Sequence, residues 1–430
     1  MNKRNPWTWV PSLYFAEGLP YVIVMTVSLV LYKQMGLDNA DITLYTSWLY
    51  LPWVIKPLWS PFVDLIRTKR WWIVSMQLLI GAALGGVAFS IPTSTWLQSS
   101  LCFFWLMAFA SATHDIAADG FYMLGLDQHQ QAFFVGIRST FYRIATLFGQ
   151  GVLIMIAGNL QVLARNGIPF SWALVFYGTA GLMIALWLWH GYILPKPNED
   201  KPKEDERASD IMKGFADTIR TFFTKAPART VVIAILFMLL YRMPEGLLVK
   251  ISTLFLLDGR NSGGLGITPQ ELGMVQGTVG VIGLTLGGIL GGIAAGRHGL
   301  RRWLWPMVCA ITLPDIVYVY LSYALPESLL IINACVFVEQ FGYGFGFTAY
   351  MLYLIYYCQG EYKTSHYALC TAFMALSMMI PGLFAGALQQ AVGYQTFFLI
   401  VMAACAITFL VTAFIDVDPE FGKKQPESLE

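Results

Sequence analysis

Long apolar runs separated by short polar stretches fill the chain from residue 9 to residue 415. A helix needs about 20 mainly apolar residues to cross a bilayer. Runs of that kind occupy 9–32, 42–63, 71–91, 97–124, 132–158, 171–194, 229–257, 270–295, 303–324, 328–358, 364–391 and 394–415. The pattern predicts an all-α membrane protein of twelve transmembrane helices. Glycine and proline recur inside the runs, which bilayer helices tolerate when neighbours satisfy the freed backbone groups. Gly283, Gly287 and Gly291 repeat at a spacing that lets two helices approach closely.

A polar stretch, roughly 195–228, divides these runs into two groups of six. It predicts an N-terminal six-helix bundle over 1–194, a cytoplasmic linker over 195–228, and a C-terminal bundle with a short tail over 229–430. The linker opens Pro195-Lys-Pro-Asn-Glu-Asp-Lys-Pro and reads as solvated. Within it, Ile211, Phe215, Ile219 and Phe222 fall on one helical face. That helix lies on the inner membrane surface or packs on the bundle.

Charge orients the chain. With the N-terminus inside, the inner loops hold nineteen Lys and Arg, the outer loops only Lys33, Arg165 and Arg260. Positive residues stay on the cytoplasmic side, so both termini are expected there, as an even helix count also requires. Composition agrees with the pattern. The chain is 57% hydrophobic and 12% charged, about half the charged share of a soluble domain. A net charge of +1 argues against a nucleic-acid surface. The six cysteines are scattered, with no CxxC pair or His/Cys cluster, so neither a disulfide framework nor a zinc site is expected. No A-x-A cleavage pattern follows the first residues, so no removable signal peptide is expected. A P-loop is missing too, which argues against an ATP-driven pump.

The two groups of six resemble one another. The first helix carries Tyr14-Phe-Ala-Glu17-Gly18-Leu19-Pro20, the seventh Tyr241-Arg-Met-Pro-Glu245-Gly246-Leu247. About fifty residues after each glutamate comes a short basic loop: Ser60-Pro-Phe-Val-Asp64-Leu-Ile-Arg67-Thr-Lys69-Arg70, then Gly292-Ile-Ala-Ala-Gly296-Arg297-His-Gly299-Leu-Arg301-Arg302. Two parallel six-helix repeats resemble the major facilitator superfamily. The second loop resembles its G-x-x-x-D-R-x-G-R-R signature, with Gly296 where the acid normally stands. The resemblance implies a secondary transporter working by alternating access. Asp64 can hold charge-assisted bonds to Arg67 or a neighbouring helix end. Asp64, Arg67, Arg70, Arg297 and Arg301 are therefore candidates for a conformational latch; plain positive-inside anchoring is the alternative.

A narrower likeness lies between residues 10 and 150. Phe15-Ala-Glu-Gly18-Leu19-Pro20, Lys56-Pro-Leu-Trp59-Ser60-Pro61-Phe-Val-Asp64, Ala112-Thr-His-Asp115-Ile116-Ala-Ala-Asp119 and Tyr142-Arg143 resemble the AmpG muropeptide permease family. The endoplasmic-reticulum acetyl-coenzyme A transporters share much of this pattern. Glu17 and His114 depart from it, replacing residues often smaller or uncharged there. The resemblance implies an importer of peptidoglycan-derived muropeptides or amino sugars; a monomer in a bacterial inner membrane is expected. Other solutes (a siderophore, a nucleotide-type conjugate, a sugar) are the alternative. No cofactor is expected, the proton gradient being the energy source.

Ionisable groups inside membrane helices are costly and usually face a cavity or a partner. Glu17, Lys56, Asp115, Asp119, Arg138, Arg143, Arg242, Glu245, Lys250, Asp315 and Glu339 are of this kind. Lys56 and Lys250 can snorkel to an interface, and Arg138 is expected near the cytoplasmic end. Asp115 and Asp119 are four apart and share a helix face. Two carboxylates so close do not both ionise cheaply, and Arg143 on the next helix is the expected counter-ion. Asp115, Asp119, Arg143 and Glu17 are thus the proton-coupling candidates, a permanent salt-bridge brace being the alternative. Substrate-contact candidates are Glu17, Tyr21, His114, Tyr142, Arg242, Glu245, Glu339, Gln340, Tyr343 and Tyr350. In the tenth helix Tyr343, Phe347, Tyr350, Leu354 and Tyr357 form a stripe that suits stacking on sugar rings or simple packing. Arg242 and Glu245, three apart, can also pair with each other. His114-Asp115-x-x-x-Asp119 lacks further ligands for a metal, so no metal is expected. An intramembrane enzyme using His114, Asp115 and Asp119 is the weaker alternative, because no nucleophile motif accompanies them.

Overall fold

The computed structural model describes residues 4–163, 165, 167–198, 200–201, 208–359 and 363–421. It is all-helical, with no strand among the described residues. Ten helical stretches are long and apolar enough to cross a membrane. The difference from twelve has two local causes. The expected span 42–63 is interrupted after Asn39–Trp48, and its second part, Leu51–Ile66, has only 16 residues. The last two expected spans run on as Lys363–Phe414 and are divided by Gly393, whose φ of 76° breaks the helix. With those two resolved the architecture is consistent with twelve spans. Large apolar side chains such as Phe89, Leu163 and Leu330 are 70%, 82% and 79% exposed. In an integral membrane protein that surface faces lipid tails.

The helices used below are α1 (Val10–Val22), α2 (Leu51–Ile66), α3 (Lys69–Ser90), α4 (Trp96–Gly125), α5 (Gln128–Leu147), α6 (Ile168–Ile193), α7 (Ala208–Thr224), α8 (Ala228–Leu240), α9 (Met243–Leu257), α10 (Val281–His298), α11 (Leu300–Thr312), α12 (Ile316–Ala324), α13 (Leu329–Tyr357) and α14 (Lys363–Phe414). They form two compact units.

The first unit comprises Met1–Asp38, Tyr45–Phe215 and Thr268–Gly273. In it α3 packs on α4 and α6, and α1 on α5. Its core gathers Trp9, Leu13, Tyr14, Ile73, Phe121 and Leu194. Beyond Pro20, α1 loosens into a π-helical stretch at Ile23–Val27, and α5 does the same at Phe148–Leu153. The two widened turns lie against each other. There Gly149 makes room, since a Cβ on it would stand 2.5 Å from Val22 Cγ1. Such bulges keep a helix continuous while re-aiming the side chains before them.

The second unit comprises Asn39–Leu44, Ala216–Ile267 and Met274–Glu430. Here α10 packs on α13, α9 and α8 on α14, and α11 on α13. Gly287 and Gly344 allow the first of these contacts, because a Cβ on either would meet a backbone oxygen at 2.0–2.1 Å. The core runs from Phe222 through Phe237, Met307 and Tyr350 to Val411. Asn39–Leu44 belongs to this unit: the Asn39 amide donates to Asp258 Oδ2 (3.1 Å), Gln389 Oε1 (2.8 Å) and Tyr394 Oη (2.9 Å).

Candidate functional site

In the first unit the intramembrane charges converge. Lys56 of α2 donates to Asp115 Oδ2 of α4 at 2.5 Å, with both side chains only about one-fifth exposed (18% and 20%). One turn along α4, Asp119 pairs with Arg138 of α5 at 2.9 Å and accepts from the Tyr14 hydroxyl at 3.3 Å. The Arg138 guanidinium lies over the Tyr14 and Tyr122 rings at 4.6 and 5.1 Å. Glu17 of α1 is 6% exposed. Its carboxyl group stands near Asp115 and Asp119, and its Oε2 is enclosed without a partner.

This geometry corrects two expectations. Asp119 takes Arg138, not Arg143, as its counter-ion; Arg143 Nη1 is buried without a hydrogen-bond partner. Five residues turn an α-helix by about 140°, so one of the two arginines faces Asp119 and the other does not. Lys56 does not reach for an interface but holds Asp115. Each aspartate has its own cation, and the carboxyl neighbour of Asp115 is Glu17 rather than Asp119 alone.

His114 points away from this cluster. It is fully buried and bonded to Gln77 Nε2 at 3.0 Å. Gln77 Oε1 in turn meets His190 Nδ1 at 2.9 Å, and His190 Nε2 meets Ser12 Oγ at 2.9 Å. A solute contact at His114 is therefore replaced by a buried polar chain linking α4, α3, α6 and α1. The Tyr21 ring stands edge-on to Trp53 at 5.1 Å and tilted to Tyr142 at 6.5 Å, an aromatic wall beside Glu17.

The described residues of the basic loop between α2 and α3 have the following partners. The Asp64 side chain lies outside the described set. Arg67 lies over the Trp71 ring at 5.9 Å. Arg70 reaches the carbonyls of Gly191 and Leu194 at the end of α6, where a cation suits the helix C-terminus. Asp200 accepts from the amides of Lys69 (2.6 Å) and Arg70 (3.0 Å), satisfying the N-terminus of α3. Asp200 was not among the latch candidates, since nothing local ties it to a helix 130 residues earlier.

In the second unit α8 stops at Leu240 and α9 starts at Met243, so Arg242 stands at a break. The Arg242 guanidinium donates to the Tyr343 hydroxyl and lies 4.7 Å from the Phe347 ring centre. Cation–π contact explains this seat. Tyr350 is fully buried and donates to Met238 O at 2.6 Å, a bond that braces α13 on α8. Its expected solute contact is thus occupied by the protein's own backbone. Glu245 and Glu339 are 5% and 2% exposed, and Gln340 Nε2 donates to both Glu339 oxygens (3.1 and 3.0 Å). Asp315, outside the expected site, joins the two glutamates: one oxygen from each lies within 4.8 Å of the others. Its signal was the Pro314-Asp315 pair in an apolar run, because Pro interrupts a helix and an acid there wants a partner. Arg297, Arg301, Arg302 and His298 line, with Pro419, a shallow pocket of about 400 Å³ at the end of α10.

Comparisons with known proteins follow the same outline. The sequence matches the BT1 family over residues 16–316 and the Major Facilitator Superfamily over residues 251–430. It is 25% identical over 399 residues to the anhydromuropeptide permease of Escherichia coli K12, covering 91% of this chain and 76% of that protein. A Rickettsia conorii protein named AmpG 4 is 26% identical over 414 residues, covering 93% of this chain and 94% of its own length. Among solved structures, the nucleoside transporter NupG superposes with a TM-score of 0.67 at 15% identity over 96% of this chain and 99% of its own. The D-xylose-proton symporter does so with 0.66 at 11% identity over 94% and 96%. These structural likenesses concern the fold alone.

Proposed function

The chain belongs to the BT1 family and is a transporter of the major facilitator type, and from that premise we propose a proton-coupled importer of peptidoglycan-derived muropeptides or amino sugars. It works by alternating access in a bacterial inner membrane, with both termini cytoplasmic, and needs no cofactor beyond the proton gradient. The observation that carries the coupling is the buried Glu17 carboxyl beside the Lys56–Asp115 and Arg138–Asp119 ion pairs. Buried carboxyl groups gathered this closely do not all ionise cheaply, so the cluster is a place where a proton can be held. Separating Glu17 from Asp115, or drawing Lys56 away, changes what that proton is worth. A solute that binds one arrangement better than the other thereby moves the proton.

The substrate class rests on the permease relatives, and the Tyr21, Trp53 and Tyr142 rings beside Glu17 offer faces on which a sugar can stack. Uptake of a labelled anhydro-disaccharide peptide into proteoliposomes is the test. Accumulation is expected only with an inward proton gradient. Glu17→Gln and Asp115→Asn should abolish accumulation and keep solute exchange in the absence of a gradient. Uptake indifferent to the gradient, or accumulation intact in both variants, overturns proton coupling. Accumulation of a nucleotide conjugate or siderophore in its place overturns the substrate class.

A further inference from the structure

Glu245, Asp315 and Glu339 come from α9, the break before α12, and α13, and all three side chains are at least nine-tenths buried. One oxygen from each lies within 4.8 Å of the other two. Two helix breaks bring them together. Glu245 sits in the first turn of α9, just after the chain interruption at Arg242. Asp315 ends the Leu313–Asp315 3-10 turn and precedes α12. Discontinuous helices inside a bilayer are a recurrent way to present polar groups to an ion.

The groups around the cluster are neutral donors. Tyr318 donates to Glu339 Oε2 at 3.5 Å, Gln340 donates to both Glu339 oxygens, and Cys405 Sγ lies 3.7 Å from Asp315 Oδ2. Glu245 Oε2 is fully enclosed and has no hydrogen-bond partner. This second observation turns a group of acids into a site, because a buried acceptor without a donor is costly and a bound cation removes the cost. Arg242, one turn before Glu245, supplies a nearby positive charge. Lys250 falls on a different face of α9, five residues on. With all three carboxyl groups ionised around a bound cation, one guanidinium leaves an excess of two negative charges.

We propose that Glu245, Asp315 and Glu339 bind one hard divalent cation of calcium size. Carboxylate oxygens, with the Tyr318 hydroxyl and the Gln340 amide at hand, are the donors that calcium prefers. Oxygens on opposite sides of such an ion stand about 5 Å apart, which the 4.8 Å grouping accommodates. A charge of two balances the excess. The site lies within the second unit, apart from the Glu17 cluster, so it stands or falls independently of proton coupling.

The test uses the full chain, purified in detergent and stripped with a chelator. Equilibrium binding of ⁴⁵Ca²⁺ should saturate at one ion per chain, and Tb³⁺ should give luminescence sensitised through Tyr318. Asp315→Asn and Glu339→Gln should each weaken binding about tenfold or more, whereas Asp119→Asn should leave it unchanged. Calcium should also raise the melting temperature of the unaltered chain, a readout that needs no variant to fold. Absence of saturable binding overturns the proposal, as does binding that survives both substitutions. Stabilisation by lowered pH alone, with calcium and sodium both inert, assigns the cluster to protons and overturns it equally.

Discussion

The two Glu-Gly-Leu helices place the same residues in the same kind of contact and surround them with opposite chemistry. A Cβ on Gly18 of α1 would stand 3.1 Å from Tyr142 O and Ala145 Cβ of α5. A Cβ on Gly246 of α9 would stand 3.0 Å from Ser377 O and Pro381 Cγ of α14. Each glycine lets its helix close on a neighbour, and each preceding glutamate, Glu17 and Glu245, is buried with an unpartnered Oε2. Beyond that the units part. Around Glu17 two aspartates are each matched by a cation; around Glu245 two further carboxyl groups gather instead. The repeat holds backbone positions, and the polar lining diverges on that shared frame.

Removal of a cation from the first unit should cost the most. Lys56→Met strands Asp115 where its side chain is only 20% exposed, and breaking a buried pair costs about 3–5 kcal/mol. Lys56→Met with Asp115→Asn should recover most of that loss in thermal unfolding, since no lone charge remains. If the double variant is as unstable as the sum of the single ones, Lys56 and Asp115 are not a matched pair. Arg138→Met should cost much less, about 1 kcal/mol or under, because the Arg138 and Asp119 side chains are 30% and 44% exposed.

Much of this frame is legible in the chain, for physical reasons. Apolar runs long enough to span a bilayer announce the helices, and the paired Glu-Gly motifs announce the repeat. The count of spans is less legible, because Gly393 breaks the backbone without leaving the apolar run, and the turn before Leu51 divides another. Within the site, spacing along one helix shows that Asp115 and Asp119 share a face, yet not which neighbour meets them. Lys56 meets Asp115 across 59 residues of chain, a pairing that depends on how α2 leans on α4. Arg138 and Arg143 could not be told apart without the rotation of α5. Asp315 was visible as an intramembrane acid after proline, but its meeting with Glu245 and Glu339 is tertiary.

Gly18→Ala and Gly246→Ala each press a methyl group on a backbone oxygen, which cannot turn away as a side chain can. Overpacking of this kind costs about 1–3 kcal/mol, and the near-equal distances call for near-equal losses in the two variants. A tolerated Gly18→Ala beside a damaging Gly246→Ala would show that the π-helical turns after α1 and α5 absorb strain that the second unit cannot.

The smallest expected effect separates the two basic loops. In the first unit the start of α3 has Thr68 as N-cap, accepting from Trp71 N, and in addition the Asp200 carboxylate, which accepts from two further amides. In the second, the Leu300 amide at the start of α11 donates to Phe421 O at 3.1 Å, a backbone contact with the tail. Asp200→Ala leaves the amides of Lys69 and Arg70 without their acceptor while Thr68 still caps the helix, and the loss of such N-terminal acceptors costs about 1 kcal/mol. Amide exchange should quicken in the first turn of α3 and stay unchanged in α11. Asp200→Asn, which keeps an acceptor oxygen but drops the charge, should recover part of the loss. Quickened exchange in both loops would mean that Asp200 stabilises the chain as a whole and does not cap α3 alone.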